Sequence, residues 1–300
     1  MADERSTRHD PASHLPAAGA GRGGTSYKNA PTKSVSVGGT RFVYRELGVD
    51  TGIPVIFLNH LAANLDNWDP RVVDGIAAKH RVITFDNRGV GASQGTTPDT
   101  VEAMAQDAIA FICALGFDSV DLLGFSMGGF VTQMIALSEP ALLRKIILAG
   151  TGPAGGAGIV NVTRLSYLDN LKALATRKNP EELLFFTRTA NGKSEAKAFI
   201  KRLKERTDDR DEAVTLRVFR AHLKAIHAWG LEQPADLAGI HHPVLVVNGD
   251  DDRMVPTSNS YDLARRLPNA TLQIYPDAGH GGIFQYHEQF VREALEFLGS

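Results

Sequence analysis

The chain has 300 residues, 43% of them hydrophobic, a formal net charge of −2 and one cysteine. A chain of this length can bury about 75% of the surface that its unfolded form exposes, so a large core is available. Lys and Arg are mixed with acids, as in "IKRLKERTDDRDE", which gives no electrostatic reason to expect nucleic acid or an anionic membrane as partner, and a lone cysteine excludes an intramolecular disulfide.

Residues 1–31 hold Pro, Gly, Ala, Ser and charges without periodicity, and are expected to form a disordered tail. They lack the apolar core of a secretory signal. No apolar run approaches the roughly 18 residues of a membrane span. With Cys113 expected as a buried, inert thiol mid-helix in "AIAFICAL", a cytoplasmic location is the simplest fit.

Beyond the tail, "KSVSVGGTRFVYREL" predicts two strands joined at Gly38-Gly39, a hairpin signal. Strands and helices then alternate. "PVIFLNH" precedes a helix around Trp68 to Lys79, "RVITFD" one from about Thr100 to Leu115, and "SVDLLGF" one from Met127 to Ser138, with "LRKIILAG" following. Apolar strands with helices between them predict an α/β fold, a mostly parallel central sheet covered by helices on both faces. The alternation breaks at residue 151. Asn161 to about Gln233 is helical without a convincing strand, and Phe219, His222, Leu223 and Ile226 fall on one helical face. It resumes with "PVLVVNGD", a helix near Ser258 to Leu267, "ATLQIYP" and a last helix from about Ile283 to Leu298. The expected organisation is therefore a core of residues 32–150 and 236–300, interrupted by a helical cap over 151–235.

"DLLGFSMGGF" carries the chemistry. Gly124 to Gly128 matches G-x-S-x-G with a strand before and a helix after, the setting in which a tight turn exposes a serine nucleophile. The competing explanation is that the glycines only permit close strand–helix packing. A serine hydroxyl needs a base to take its proton and a third group to orient that base. "NGDDDRMVP" follows "PVLVV" and offers Asp250, Asp251 and Asp252, while "DAGHGG" follows "LQIYP" and offers His280. The chain order Ser, Asp, His is the one this arrangement requires. An oxyanion hole is also needed, and Met127 N–H, at a helix start just after Ser126, is the first candidate.

With these stretches and "DNRGVGAS", the chain from about Ser34 onward resembles the α/β-hydrolase superfamily, specifically its cap-bearing serine members. The resemblance implies Asp252, four residues before Pro256, as the acid, with Asp250 and Asp251 as turn and solvent residues, and His280 as the base. Relatives show His-Gly ahead of the second oxyanion donor. Here "LNHLAANLDNWDP", aligned by Trp68, puts Asn59-His60 there and makes Leu61 the implied donor. His60 and Phe125 beside the site, with Tyr167 and Trp229 of the cap, are the substrate-binding candidates, against the ordinary alternative that each is core or structural. His222 is expected in a satisfied core or pocket-lining role.

Two G-x-G-x-x-G matches, "GAGRGG" and "GTGPAG", lack a strand before or a helix immediately after, so dinucleotide binding is not indicated; the second is expected to be a flexible entry to the cap. No H-E-x-x-H or C-x-x-C exists to suggest zinc. Relatives that open epoxides or displace halide carry aspartate at the elbow, which argues against both. The expected activity is a cofactor-free and metal-free serine hydrolase of a small carboxylic ester or lactone. Hydrolysis of a carbon–carbon bond in a ring-cleavage diketone, perhydrolase or haloperoxidase-like chemistry, and a non-catalytic ligand receptor are the alternatives, and homo-oligomer formation stays open.

Overall fold

A computed structural model describes residues 25–300. Its frame is one eight-stranded sheet: β1 (Thr32–Val37), β2 (Thr40–Gly48), β3 (Val55–Leu58), β4 (Arg81–Phe85), β5 (Val120–Phe125), β6 (Leu143–Ala149), β7 (Val244–Gly249) and β8 (Ala270–Tyr275). The spatial order is β1-β2-β4-β3-β5-β6-β7-β8, with β1 and β2 antiparallel to their neighbours and every later pair parallel. Gly38 and Gly39 both take positive φ (55° and 83°) in the two-residue turn between β1 and β2, as a hairpin whose twist matches its strands requires. Every residue of β3, β5 and β7 is buried, because helices cover both faces of a parallel sheet.

Those helices are α1 (Pro70–Ala77), α2 (Val101–Ala114) and α3 (Met127–Ser138) before the insertion. Asp69 caps α1 by accepting from Arg71 N–H with Pro70 at the first helical position, and Thr100 caps α2 by accepting from Ala103 N–H. Between β6 and β7 the chain forms α4 (Val162–Thr176), α5 (Pro180–Leu184), α6 (Ala190–Leu203) and α7 (Leu216–Leu231), with no strand among the described residues of that stretch. The chain closes with α8 (Ser258–Arg266), α9 (Gly282–Gln285) and α10 (His287–Gly299). No helix of the described residues is long and apolar enough to cross a membrane.

Connections from β3 run outward to β4, whereas β5 lies on the other side of β3. The loops leaving the carboxyl ends of β3 and β5 thus diverge and open a crevice, the place where α/β sheets bind ligands.

Two expectations change. Residues 1–24 of the expected disordered tail lie outside the described residues, but Tyr27 is buried, with its hydroxyl donating to Leu65 O at 2.5 Å and its N–H to Asp74 Oδ1 at 2.6 Å. The packed structure therefore begins before residue 31. Cys113, expected to be buried, is exposed: Phe111 and Ile112 take the inward positions of α2, and the next residue along a 3.6-residue turn faces out.

Candidate functional site

Ser126 sits at φ 56° and ψ −117° between β5 and α3, a sparsely populated conformation costing of the order of 1–3 kcal/mol. The glycines two before and two after it are sterically dictated. A Cβ on Gly128 would lie 2.1 Å from Leu58 O, and one on Gly124 would lie 2.3 Å from Thr132 Oγ1 and 2.5 Å from Gly128 O. Close strand–helix packing and the strained serine turn are thus one geometric fact, since both require Gly124 and Gly128 to lack a side chain.

The loops after β7 and β8 bring the expected partners to this serine. His280 Nε2 lies 2.8 Å from Ser126 Oγ, and His280 Nδ1 lies 2.8 Å from Asp252 Oδ2. All three are buried. Asp252 Oδ1 accepts from Met254 N–H at 2.8 Å and Val255 N–H at 3.0 Å, which leaves Oδ2 for the imidazole. Asp250 and Asp251 are exposed at the turn, where Asp250 Oδ1 accepts from Ala278 N–H. The hydrogen-bonded line from Ser126 through His280 to Asp252 sets an imidazole against the hydroxyl and a carboxyl group behind the imidazole, the arrangement that base-activated attack by a serine requires.

The helical insertion holds the histidine loop. Asp277, at φ 49°, accepts from Thr187, Thr189 and Asn191, each at 3.0 Å, and Phe185 O accepts from Gly281 N–H at 2.8 Å. Arg253, beside Asp252, pairs with Asp169 of α4 and donates to Leu183 O at 2.7 Å. These ties were not read from the sequence; Thr187, Thr189 and Asn191 at the start of α6 are their one local signal, as such residues seek local acceptors and caps.

A cavity of about 800 Å³ opens onto Ser126 and His280. Its walls are largely apolar, from Phe130, Leu184, Phe185 and Phe219 to Leu171 and Leu174 on α4, whose spacing of three marks one helical face. Of the substrate-binding candidates, His60 and Tyr167 line it. Phe125 and Trp229 do not. Phe125 is fully buried beneath the site, its ring 5.1 Å from that of His280 and 5.3 Å from that of His60. Trp229 stacks on Phe130 at 5.3 Å and donates to Gly152 O, so it is core. The same Gly152 O accepts from Gln133, and Gly155 N–H donates to Trp229 O, so hydrogen bonds pin the glycine-rich segment before α4.

Met127 opens α3 just after Ser126, where the first N–H groups of a helix have no intrahelical acceptor. Leu61 and His60 stand on the facing loop after β3, both lining the cavity. His60 Nδ1 bonds Leu61 O at 3.1 Å and Ala62 N–H donates to His222 Nδ1 at 3.0 Å, so His222 is a partner of this loop. Burial, reinforced by the neighbouring His280, pushes His60 down to about 3, and burial alone pushes His222 down to about 4, so both are neutral near pH 7. "DNRGVGAS" does not reach the cavity; its Asp86 accepts from Leu65 N–H at 2.8 Å behind the site. Among the described residues no group of three or more His, Cys, Asp or Glu side chains is arranged to hold a metal ion.

This sheet, its strand-end loops and the serine turn define an α/β hydrolase. The family model of the alpha/beta hydrolase fold matches residues 53–285, and the chain belongs to that family of enzymes. A Caulobacter sp. (strain K31) protein bearing the name carbamate hydrolase RutD is 31% identical over 239 residues, spanning 77% of this chain and 85% of its own. The non-heme chloroperoxidase of Streptomyces lividans is 27% identical over 87% of this chain and 97% of its own. An alpha/beta hydrolase fold protein from Chitinophaga pinensis superposes with a TM-score of 0.87 at 42% identity, covering 92% of this chain and all of that one.

Proposed function

We propose that the protein is a serine hydrolase that cleaves small carboxylic esters or lactones through an acyl-enzyme on Ser126. The observation that carries this is the continuous line of hydrogen bonds from Ser126 Oγ through His280 to Asp252, ending in a largely apolar cavity. His280 takes the hydroxyl proton as Oγ attacks the carbonyl carbon, and the electron pair moves to the carbonyl oxygen. Met127 and Leu61 N–H groups receive that oxyanion, a contribution that mutations of such donors elsewhere put at about 10²–10³ in kcat. His280 then gives its proton to the leaving oxygen as the acyl–oxygen bond breaks. Water attacks the acyl-enzyme by the same steps and frees the acid. For a lactone the leaving alcohol stays tethered to the acid released.

The test is hydrolysis of p-nitrophenyl esters from acetate to dodecanoate by the protein and by Ser126→Ala. Turnover abolished in the variant is the expected result, and the preferred chain length gauges the cavity. No turnover of any ester by the folded wild type contradicts the proposal.

The relatives named for carbamate hydrolysis and chloroperoxidase activity favour a second reading of the same site. A carbamate carbonyl is open to the same attack. Hydrogen peroxide replacing water on the acyl-enzyme gives a peracid, the species needed to oxidise halide. Assays with a carbamate, and with acetate plus peroxide and bromide, separate these from simple ester cleavage.

A further inference from the structure

The turn after β3 holds an anomaly. His60 O accepts from Ala63 N–H at 3.3 Å, closing a four-residue turn whose third residue, Ala62, stands at φ 52°. Turns with positive φ there ordinarily use glycine or asparagine, because a Cβ is strained in that region. The peptide joining Leu61 to Ala62 is gripped at both ends by imidazoles. Its carbonyl bonds His60 Nδ1 at 3.1 Å, and its N–H donates to His222 Nδ1 at 3.0 Å. His222 arrives from α7, 160 residues further along the chain. Only neutral imidazole protonated on Nε2 can accept at Nδ1, and full burial keeps His222 neutral. Its Nε2 has no partner among the described residues. The Nδ1 contact is thus the hydrogen bond that holds this buried ring among the described residues.

We infer that His222 is a positioning residue, whose Nδ1 locks the Leu61–Ala62 peptide and thereby aims the Leu61 N–H at the oxyanion. Without that acceptor the peptide can rotate, Ala62 relaxes toward negative φ, and the segment carrying Leu61 N–H changes course. The hole is then complete only when α7 is docked, which couples the helical insertion to the chemical step rather than to substrate binding alone. Because this rests on the acyl-transfer chemistry proposed above, its test needs one readout that does not depend on turnover.

His222→Phe keeps a ring without the acceptor, His222→Asn keeps an acceptor near the Nδ1 position, and His222→Gln moves it toward that of Nε2. With p-nitrophenyl butyrate, the Phe variant should lose about 10- to 100-fold in kcat with KM within about twofold, the Asn variant should stay within about threefold of wild type, and Gln should resemble Phe. Adding Ala62→Gly to His222→Phe should not repair kcat, since glycine frees the turn further. A crystal structure of His222→Phe should show Ala62 at negative φ whether or not any ester is a substrate. Should the Phe variant fail to fold, the Asn and Gln pair decides by the same comparison. Equal kcat in Asn and Gln, or Phe within twofold of wild type, overturns the inference, as does an unmoved Ala62 in the Phe structure. A wild type inert toward esters while Ala62 still relaxes in the Phe variant would count against the proposed function and leave the clamp standing.

Discussion

His280 Nδ1 stands 2.8 Å from Asp252 Oδ2, and the other oxygen of that carboxylate is committed to the N–H groups of Met254 and Val255. Asp252→Asn would keep its amide oxygen on those two donors and turn its NH₂ toward the imidazole. Nδ1 must then accept, the ring proton moves to Nε2, and His280 donates to Ser126 instead of taking its proton. The expected outcome is a fall of about 10⁴-fold in kcat, the size seen when such an acid is neutralised in serine proteases, with near-native thermal stability. Steady-state kinetics and a melting curve check it.

Gly128 meets Leu58 O so closely that a Cβ would stand 2.1 Å from that oxygen. Gly128→Ala must therefore move the elbow relative to β3 by the order of 1 Å, a displacement that costs about 10²-fold in catalysis. Ester hydrolysis by the purified variant should show at least that loss, with a lowered Tm.

Asp69 and Arg202 join the α/β core to α6, with the carboxylate fully buried and Nη2–Oδ2 at 2.7 Å. Arg202→Met leaves that carboxylate charged and unpaired, and breaking such a pair costs about 3–5 kcal/mol. Urea unfolding should report a loss of this size, and Asp69→Asn in the Arg202→Met background should recover part of it.

Asp86 is held well above the ordinary carboxylate range, first by burial and then by the facing Asp211 carboxylate, with which it shares a hydrogen bond. A folded pKa above the unfolded one means that the folded state keeps its proton longer. Stability is then undiminished below the unfolded pKa, near 4, and falls as pH rises toward the folded value. Each unit of elevation is worth about 1.4 kcal/mol. Asp86→Asn keeps the acceptor for Leu65 N–H and can donate to Asp211, so it should melt higher than wild type at pH 8, with the gain vanishing near pH 4. A gain that is constant across this range would contradict the assignment.

What could be seen in the sequence follows the range of the forces involved. The elbow was legible because its steric demand is local: two glycines, one serine, a strand and a helix. The strands of the parallel sheet and the loops bearing Asp252 and His280 were legible because apolar runs in a covered parallel sheet are continuous, whereas the spatial order of the strands was not. Tyr167 and Trp229 could not be told apart, since an aromatic side chain has the same composition whether it lines a cavity or supports one. His222 was placed on the correct face of its helix, but its partner Ala62 is reached only once the insertion docks. Asp169 and Arg253 escaped for the same reason.

Intact-protein mass spectrometry of samples acid-quenched during turnover of p-nitrophenyl butyrate tests directly for an acyl-enzyme on Ser126. A mass increase of one butyryl group, mapped by peptide digestion to Ser126 and absent from Ser126→Ala, is the expected result. Turnover without any acylated protein, or the same adduct and rate in Ser126→Ala, would contradict it.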